Sequence, residues 1–174
     1  PNQNDPNILY FGPGVHRFEK KLSVPSGKSV YLAGGSVLET ALDCDHVQNV
    51  RIFGRGILYH GEYGIKIAYS KNIDVNGVTV INPRHNVVTC GQSQGVTIKD
   101  LKSFTNLGWG DGIDVFCSSD VLVDSVFMRN SDDCVAIYGH RNKYFGDVKN
   151  VVVQNSVLWA DVAHPILAGT HGDP

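Results

Sequence analysis

A repeated segment of about 23 residues is the feature that most limits how this chain can fold. Each copy opens with a polar residue or glycine, continues with alternating β-branched residues and ends at a turn. The copies open at Asn49, Asn72, Gly95, Asp120 and Asn150, so the steps are 23, 23, 25 and 30 residues. Alternation with a period of two is typical of strands, and a fixed longer period is typical of stacked repeats. The pattern therefore predicts a solenoid built from strands.

Each repeat contains two further short apolar runs. The second run lies at residues 77–81, 101–104, 126–128 and 157–159. The third run lies at residues 86–89, 112–116 and 134–138. Helical repeats need roughly 33 residues with helical periodicity, and a leucine-rich repeat needs regularly placed leucines where this chain has valine and isoleucine. We expect an all-β chain that forms a right-handed parallel β-helix of about six or seven coils, in which each coil buries its apolar face against its neighbours.

The repeat also predicts the domain organisation. A single β-helix domain is expected over residues 1–174, with irregular first coils in residues 1–45 and regular coils that carry the candidate site in residues 46–174. The last step is longer by about 7 residues, which we assign to a loop at residues 140–146. A solenoid needs a polar cap on its terminal repeat, and no capping segment follows the last repeat. We therefore expect a fragment that lacks its C-terminal coils.

Composition excludes several classes of partner. The formal net charge of the 174 residues is -2 and there is no basic run, so we expect no nucleic-acid partner. No stretch of about 18 apolar residues exists, so we expect no membrane span, and no signal peptide is visible. The cysteines fit no close zinc-ligand spacing and are interpreted as small buried apolar side chains, with their disulfide state left open. They are Cys44, Cys90, Cys117 and Cys134.

Acidic and polar residues recur beside the third run of each repeat. Asp111, Asp132 and Asp133 lie at similar distances from the start of their repeats, as do Asn86 and His164. Because parallel coils stack at roughly 4.8 Å, the three carboxylates should converge within about 5–7 Å at one corner, and at least one pKa should rise. One protonated and one ionised carboxyl are what glycoside hydrolysis requires. The spacing thus favours a glycoside hydrolase.

Structural interpretations compete with this one. An aspartate in a turn often accepts backbone hydrogen bonds, and we interpret Asp100, Asp114 and Asp124 in that way. Asp114 lies three residues after Asp111, and strand alternation would direct the two side chains to opposite faces. An acidic cluster can also bind calcium, but that ion needs more oxygen ligands than Asn86 alone would add. We expect no metal and no cofactor.

At these residues the chain resembles the polygalacturonase family, glycoside hydrolase family 28, whose members share a pectin-lyase-like β-helix. That family carries an Asn-Thr-Asp motif, an Asp-Asp pair about one coil later, a Gly-His-Gly motif and an Arg-Ile-Lys motif. Here the first three correspond to Trp109-Gly110-Asp111, to Asp132-Asp133 and to Ala163-His164-Pro165. The Arg-Ile-Lys motif has no counterpart after His164, and Arg141-Asn142-Lys143 precedes it.

The resemblance implies a role for each matched residue. It implies that Asp132 is the general acid, that Asp111 and Asp133 activate water, and that His164 supports the acid and contacts the sugar. It further implies inversion at the anomeric carbon and a uronate-containing polysaccharide substrate. We expect the substrate to be bound by His85, Asn86, Trp109, Tyr138 and Arg141. Tyr138, Trp109 and Trp159 are candidate stacking platforms, and the nearby cations are Arg84, His85, Arg141 and Lys143.

The opening half also resembles dextranases and isopullulanases, glycoside hydrolase family 49. That likeness rests on residues 10–15, 30–35 and 54–58 and implies a neutral glucan instead of a uronan. Three more hypotheses compete with hydrolysis by this chain: a pectate-lyase-type enzyme, a non-catalytic glycan-binding β-helix and a degenerate family member. In each case the polysaccharide is the only expected partner, the protein is expected to be a monomer, and the substrate class implies a secreted or periplasmic location.

Overall fold

The computed structural model describes residues 1–169 and is built entirely from strands and turns. Three parallel sheets of seven strands each wind around one core, so the described chain completes seven coils of a right-handed parallel β-helix. This confirms the predicted fold. Residues 170–174, where a capping segment would be sought, lie outside the described residues. Within residues 1–169 there is no helix able to cross a membrane.

The strands are numbered in chain order, and successive strands belong to different sheets. Sheet A comprises β1 (Ile8–Phe11), β4 (Ser29–Leu32), β7 (Gln48–Gly54), β10 (Lys71–Asn76), β13 (Gln94–Lys99), β16 (Ser119–Asp124) and β19 (Lys149–Gln154). Sheet B comprises β2 (Gly14–Arg17), β5 (Ser36–Glu39), β8 (Ile57–Tyr59), β11 (Thr79–Ile81), β14 (Lys102–Phe104), β17 (Phe127–Asn130) and β20 (Val157–Ala160). Sheet C comprises β3 (Leu22–Ser23), β6 (Leu42–Asp45), β9 (Ile65–Ala68), β12 (Val88–Gly91), β15 (Ile113–Phe116), β18 (Val135–Tyr138) and β21 (Ile166–Ala168).

The repeat openers mark a backbone bend near the start of each sheet A strand. All five have positive φ, from 51° at Asn150 to 68° at Gly95. Glycine, asparagine and aspartate tolerate that left-handed conformation best, which explains why these residue types recur. The side chains also pair between coils, since Asn72 Nδ2 donates to Asn49 Oδ1 at 3.1 Å and Asn150 Nδ2 donates to Asp120 Oδ1 at 2.9 Å.

Inward-facing aliphatic side chains form one continuous core. Leu58, Ile67, Ile98 and Ile113 are at most 1% exposed, and each strand contributes alternate residues to this interior. Three of the cysteines are buried in the same core, as expected, whereas Cys117 is half-buried and its thiol contacts the Gly139 carbonyl at 3.0 Å. All four cysteines are free thiols.

Two long turns interrupt this regularity, and both border the outer face of sheet C. The turn from sheet C to the next sheet A strand spans only two residues at 92–93 and 117–118, but it spans residues 139–148 after β18. The turn from sheet B to sheet C is also extended, at residues 105–112 before β15. The predicted loop at 140–146 lies within the first of these turns. The sheets on both sides keep their parallel register.

Candidate active site

The turns that enter sheet C stack the predicted polar residues in one column. Backbone hydrogen bonds between neighbouring coils link each of these residues to the next. The peptide N–H just after Asn86 donates to the Asp111 carbonyl at 2.9 Å, and the one just after Asp111 donates to the Asp133 carbonyl at 2.8 Å. The peptide N–H just after Asp133 donates to the His164 carbonyl at 2.9 Å. Four successive coils therefore present these side chains at one corner, as the repeat predicted.

Three carboxylates converge in this column. One oxygen from each of Asp111, Asp132 and Asp133 lies within 4.8 Å of the others, which is slightly closer than the predicted spacing of about 5–7 Å. Asp133 is the most buried of the three, at 6% exposed. The His164 backbone amide donates to Asp133 Oδ1 at 2.9 Å, and its Nδ1 lies 3.0 Å from the same oxygen. His164 therefore fixes the orientation of Asp133.

The pKa of one carboxyl in the cluster is raised. Burial is the main cause that lifts the pKa of Asp111 from 3.8 to about 6, and the charges of Asp132 and Asp133 add to it, while Arg141 acts in the opposite direction. The prediction that one carboxyl pKa rises is confirmed. The cluster can hold a proton in weakly acidic solution.

The position of the Asp114 side chain contradicts the prediction made from the sequence. The sequence placed it on the face opposite Asp111, whereas both side chains line the same cavity. The alternation rule applies only within a strand, and Asp111 lies in the turn before β15 begins at Ile113. Asp114 is 6% exposed and its Oδ2 accepts a hydrogen bond from Asn86 Nδ2. Burial, followed by the charge of Asp111, raises its pKa well above the usual value.

Glycines on either side of Asp111 explain how the turn packs so tightly. A Cβ on Gly110 would lie 2.4 Å from the Ser131 hydroxyl, and one on Gly112 would lie 2.1 Å from the Cys134 carbonyl oxygen. Both positions therefore exclude larger residues. Trp109, which precedes them, has a positive φ of 60° and is 73% exposed. Its ring stands at the rim of the cavity.

The turn at residues 139–148 forms the opposite wall. It folds back over sheet C, and the Tyr144 ring packs beside Phe116 at 5.7 Å between centroids. A Cβ on Gly91 would lie 2.2 Å from that ring, so this glycine leaves the space that Tyr144 fills. The turn is closed by hydrogen bonds between the backbones of Arg141 and Tyr144 at 3.0 and 3.1 Å. Tyr144 thus anchors the turn to the β-helix.

Arg141 is held over the cavity by this turn. Its guanidinium carbon lies 4.3 Å from the centre of the Tyr138 ring, a cation–π contact that orients the side chain. Its Nη1 is buried and has no hydrogen-bond partner in the structure. The guanidinium therefore retains an unused donor in a cavity that carries several carboxylates.

The two walls enclose a cavity of about 580 Å³, within the range of small-molecule sites. All five residues predicted to bind substrate line it: His85, Asn86, Trp109, Tyr138 and Arg141. Lys143 lines it too, whereas Arg84 lies in a separate groove. Trp159 belongs to β20 in sheet B and contacts Arg129. The lining also includes residues that were not predicted from the sequence, namely Thr89, Asp114, Phe116, Asn142 and Tyr144.

The three clustered carboxylates are also the residues that could hold a divalent cation. Calcium takes about six to eight oxygen ligands. Asn86, an amide in the same cavity, already pairs with His85 and Asp114. The donor set is therefore small for calcium, and the arrangement suits proton transfer better.

Paired carboxylates in a cleft on the side of a parallel β-helix are the groups that glycoside hydrolysis uses. The family model "Glycosyl hydrolases family 28" matches residues 61–160, and the chain belongs to that family. The matched segment includes both walls of the cavity and all of the clustered aspartates.

Individual relatives agree with this assignment. The chain is 35% identical over 75 residues to a polygalacturonase from Chamaecyparis obtusa, covering 42% of this chain and 15% of that protein. Among solved structures, it resembles the family 28 exopolygalacturonase of Yersinia enterocolitica with a TM-score of 0.79 and 15% identity, over 94% of this chain and 44% of the other. It resembles the polygalacturonase of Erwinia carotovora ssp. carotovora with a TM-score of 0.72 and 16% identity, over 93% and 58%. The structural likenesses show the fold, and the chain spans only part of each relative.

Proposed function

We propose that this protein hydrolyses the glycosidic bonds of a polygalacturonan-like polysaccharide with the carboxylates of the described cavity. The observation that carries the proposal is the convergence of Asp111, Asp132 and Asp133 within 4.8 Å, beside a histidine that orients one of them. Membership of glycosyl hydrolase family 28 supports the same chemistry.

The proposed mechanism assigns one task to each group. Asp132 gives its proton to the leaving glycosidic oxygen, which breaks the bond to the anomeric carbon. Asp111 and Asp133 take a proton from the water that attacks that carbon, and His164 keeps Asp133 in place. The raised pKa of Asp111 places a proton on the cluster in weakly acidic solution, and in this mechanism that proton passes to Asp132 before Asp111 accepts one from water.

We infer inversion at the anomeric carbon from the likeness to the family and not from the separation of the carboxyl groups. Inverting hydrolases usually separate their carboxyl groups by about 6.5–9.5 Å, and the cluster here is tighter. Proton NMR of the first product formed tests this point. A product of opposite anomeric configuration to the substrate supports inversion, and retained configuration refutes it.

The cations of the cavity favour a uronan over a neutral glucan. Arg141, Lys143 and His85 line the same cavity as the acids, and a uronate carboxylate needs cationic partners. A dextran-like substrate carries no charge and would offer these cations no carboxylate. Since pectic polymers lie outside the cytoplasm, we also propose a secreted or periplasmic protein, acting as a monomer.

Release of reducing ends from polygalacturonate, dextran and pullulan by the intact protein tests the proposal. Asp132→Asn should lower the rate on polygalacturonate by about 10²–10⁴-fold, the usual contribution of a general acid. The matched control is Asp74→Asn, which changes an aspartate on sheet A that pairs with Arg51 and does not line the cavity. Hydrolysis of dextran or pullulan but not of polygalacturonate would show that the substrate is a neutral glucan. Activity that survives Asp132→Asn would refute the assigned acid.

A further inference from the structure

A buried hydrogen-bond network joins the turn that carries Asp111 to the strand that leads into Asp132. Its central side chain is that of Asn130, the last residue of β17, which is 0% exposed. Asn130 Nδ2 donates to the Gly110 carbonyl oxygen at 3.1 Å, and that carbonyl belongs to the peptide that joins Gly110 to Asp111. The Asn130 side chain therefore holds the backbone beside Asp111, while Asn130 itself lies two residues before Asp132.

Thr105 reinforces the same attachment. Its hydroxyl donates to the Gly110 carbonyl at 2.7 Å, and it accepts from the Ser131 N–H at 2.9 Å and from Asn130 Nδ2 at 3.3 Å. A hydroxyl has one donor and two acceptor sites, so these three contacts use all of them. On its other side, Asn130 Oδ1 accepts from the buried Ser103 hydroxyl at 2.8 Å.

The fold does not by itself require an amide at this position. The residue paired with Asn130 on the next coil is Ala160, and burying an amide costs free energy unless its hydrogen bonds are made. Here they are made to the Gly110 carbonyl and to two hydroxyl groups. The polar network thus belongs to the coils that carry the aspartates and is not a general feature of this corner.

The network can influence the reaction only through the aspartates that it holds. Asn130, Thr105 and Ser103 are at most 5% exposed, and none of the three lines the cavity. Reacting groups need supporting hydrogen bonds to keep their geometry, and a misplacement of about 1 Å can lower a rate by about 10²-fold. The clustered carboxylates lie within 4.8 Å of one another, so a small shift of either segment alters their separation.

We propose that Asn130 is a positioning residue that fixes the separation between the Asp111 and Asp132 carboxyl groups, and that Thr105 completes the same clamp. A shift of the Asp111 turn relative to the segment that carries Asp132 must lengthen these hydrogen bonds. The clamp therefore sets the distance between a group that takes a proton from water and the group that gives one to the leaving oxygen. This role rests on the proposed function.

The clamp is tested first without turnover. Burial and the charge of Asp132 raise the pKa of Asp111, and a looser clamp would weaken both effects. In carbon-13 NMR titrations of the intact protein, Thr105→Val should lower that pKa by about half a unit or more. Thr40→Val is the matched control, because the Thr40 hydroxyl is similarly buried, donates to the Lys20 carbonyl at 2.9 Å and does not line the cavity. An unchanged titration in Thr105→Val, or an equal change in Thr40→Val, would overturn the proposal, and neither result depends on hydrolysis.

Hydrolysis of polygalacturonate supplies the second test. Asn130→Ala and Thr105→Val should lower kcat by about 10–100-fold, whereas KM should stay within about threefold because the residues that line the cavity are unchanged. Thr105→Ser keeps the hydroxyl and should retain most of the activity, although it removes a packed methyl group. Thermal unfolding shows which variants are folded at the assay temperature.

The serine and valine variants separate positioning from packing. Equal losses of kcat in Thr105→Ser and Thr105→Val, or a rise in KM at unchanged kcat, would refute the clamp. A wild-type protein that releases no reducing ends would refute the proposed function alone, since the NMR titration still decides whether the clamp exists.

Discussion

Replacing Asp111 with asparagine should stabilise the protein while it abolishes the proposed activity. The pKa of Asp111 rises from 3.8 to about 6 on folding, and each pKa unit is worth about 1.36 kcal/mol. The resulting penalty on the ionised form is about 3 kcal/mol at most. Because the side chain is only partly buried, screening by solvent lowers it to about 1–2 kcal/mol. Asparagine is close in shape and carries no charge, so it avoids this penalty.

The stability that Asp111→Asn gains over the wild type must increase with pH. Between the unfolded pKa of 3.8 and the folded pKa of about 6, the native state binds more protons than the unfolded state, so wild-type stability falls as pH rises through this window. The stability of Asp111→Asn should therefore match that of the wild type near pH 4, and the difference should reach its full size above pH 6.

Thermal unfolding at pH 4 and pH 8 measures this difference. A gain of about 1–2 kcal/mol corresponds to a rise in Tm of about 2–8 °C for a chain of this size. Asp74→Asn, which alters an exposed ion pair at 3.0 Å on sheet A, is the control and should not gain stability with pH. A gain as large at pH 4 as at pH 8, or no gain at pH 8, would refute the electrostatic reasoning.

Two further substitutions test the wall opposite the acids. Gly91→Ala places a Cβ 2.2 Å from the Tyr144 ring, so it should cost about 1–3 kcal/mol and make the loop that carries Tyr144 sensitive to limited proteolysis. Gly108→Ala, with no neighbour within 4 Å, is the control, and equal cleavage of both variants would contradict the anchoring role. Arg141→Ala should raise KM for polygalacturonate about tenfold or more, because it removes a charged hydrogen bond. A matching rise in Lys149→Ala, which alters an exposed cation of β19, would argue against a specific contact.

The repeated part of the fold could be predicted because its cause is local. Positions such as Asn72 and Asp120 adopt a left-handed backbone in every regular coil, and few residue types tolerate it, so the sequence shows the period directly. The column of Asn86, Asp111 and Asp133 followed from the same period, since residues at equal offsets must stack.

The remaining features depend on contacts that leave no local signal. Asp114 was misplaced because strand alternation was extended to Asp111, which lies in the turn before β15 begins at Ile113. The packing of Tyr144 against Gly91 joins residues far apart in the chain, and neither residue type suggests the other. The cavity wall formed by the turn that carries Arg141 could therefore not be placed from the sequence.

The long turn at residues 139–148 shows how such a scaffold can acquire new specificity. The four connections before it at the same corner have two residues each, as at 117–118. The sheet A strands on either side of the longer turn nevertheless remain paired residue by residue, with Val123 opposite Val153. An insertion at this corner changes the wall of the cleft without disturbing the interior. Evolution can thus vary the loops of each coil almost independently of folding. A different loop could also be grafted here to accept another glycan, with the β-helix kept unchanged as the scaffold.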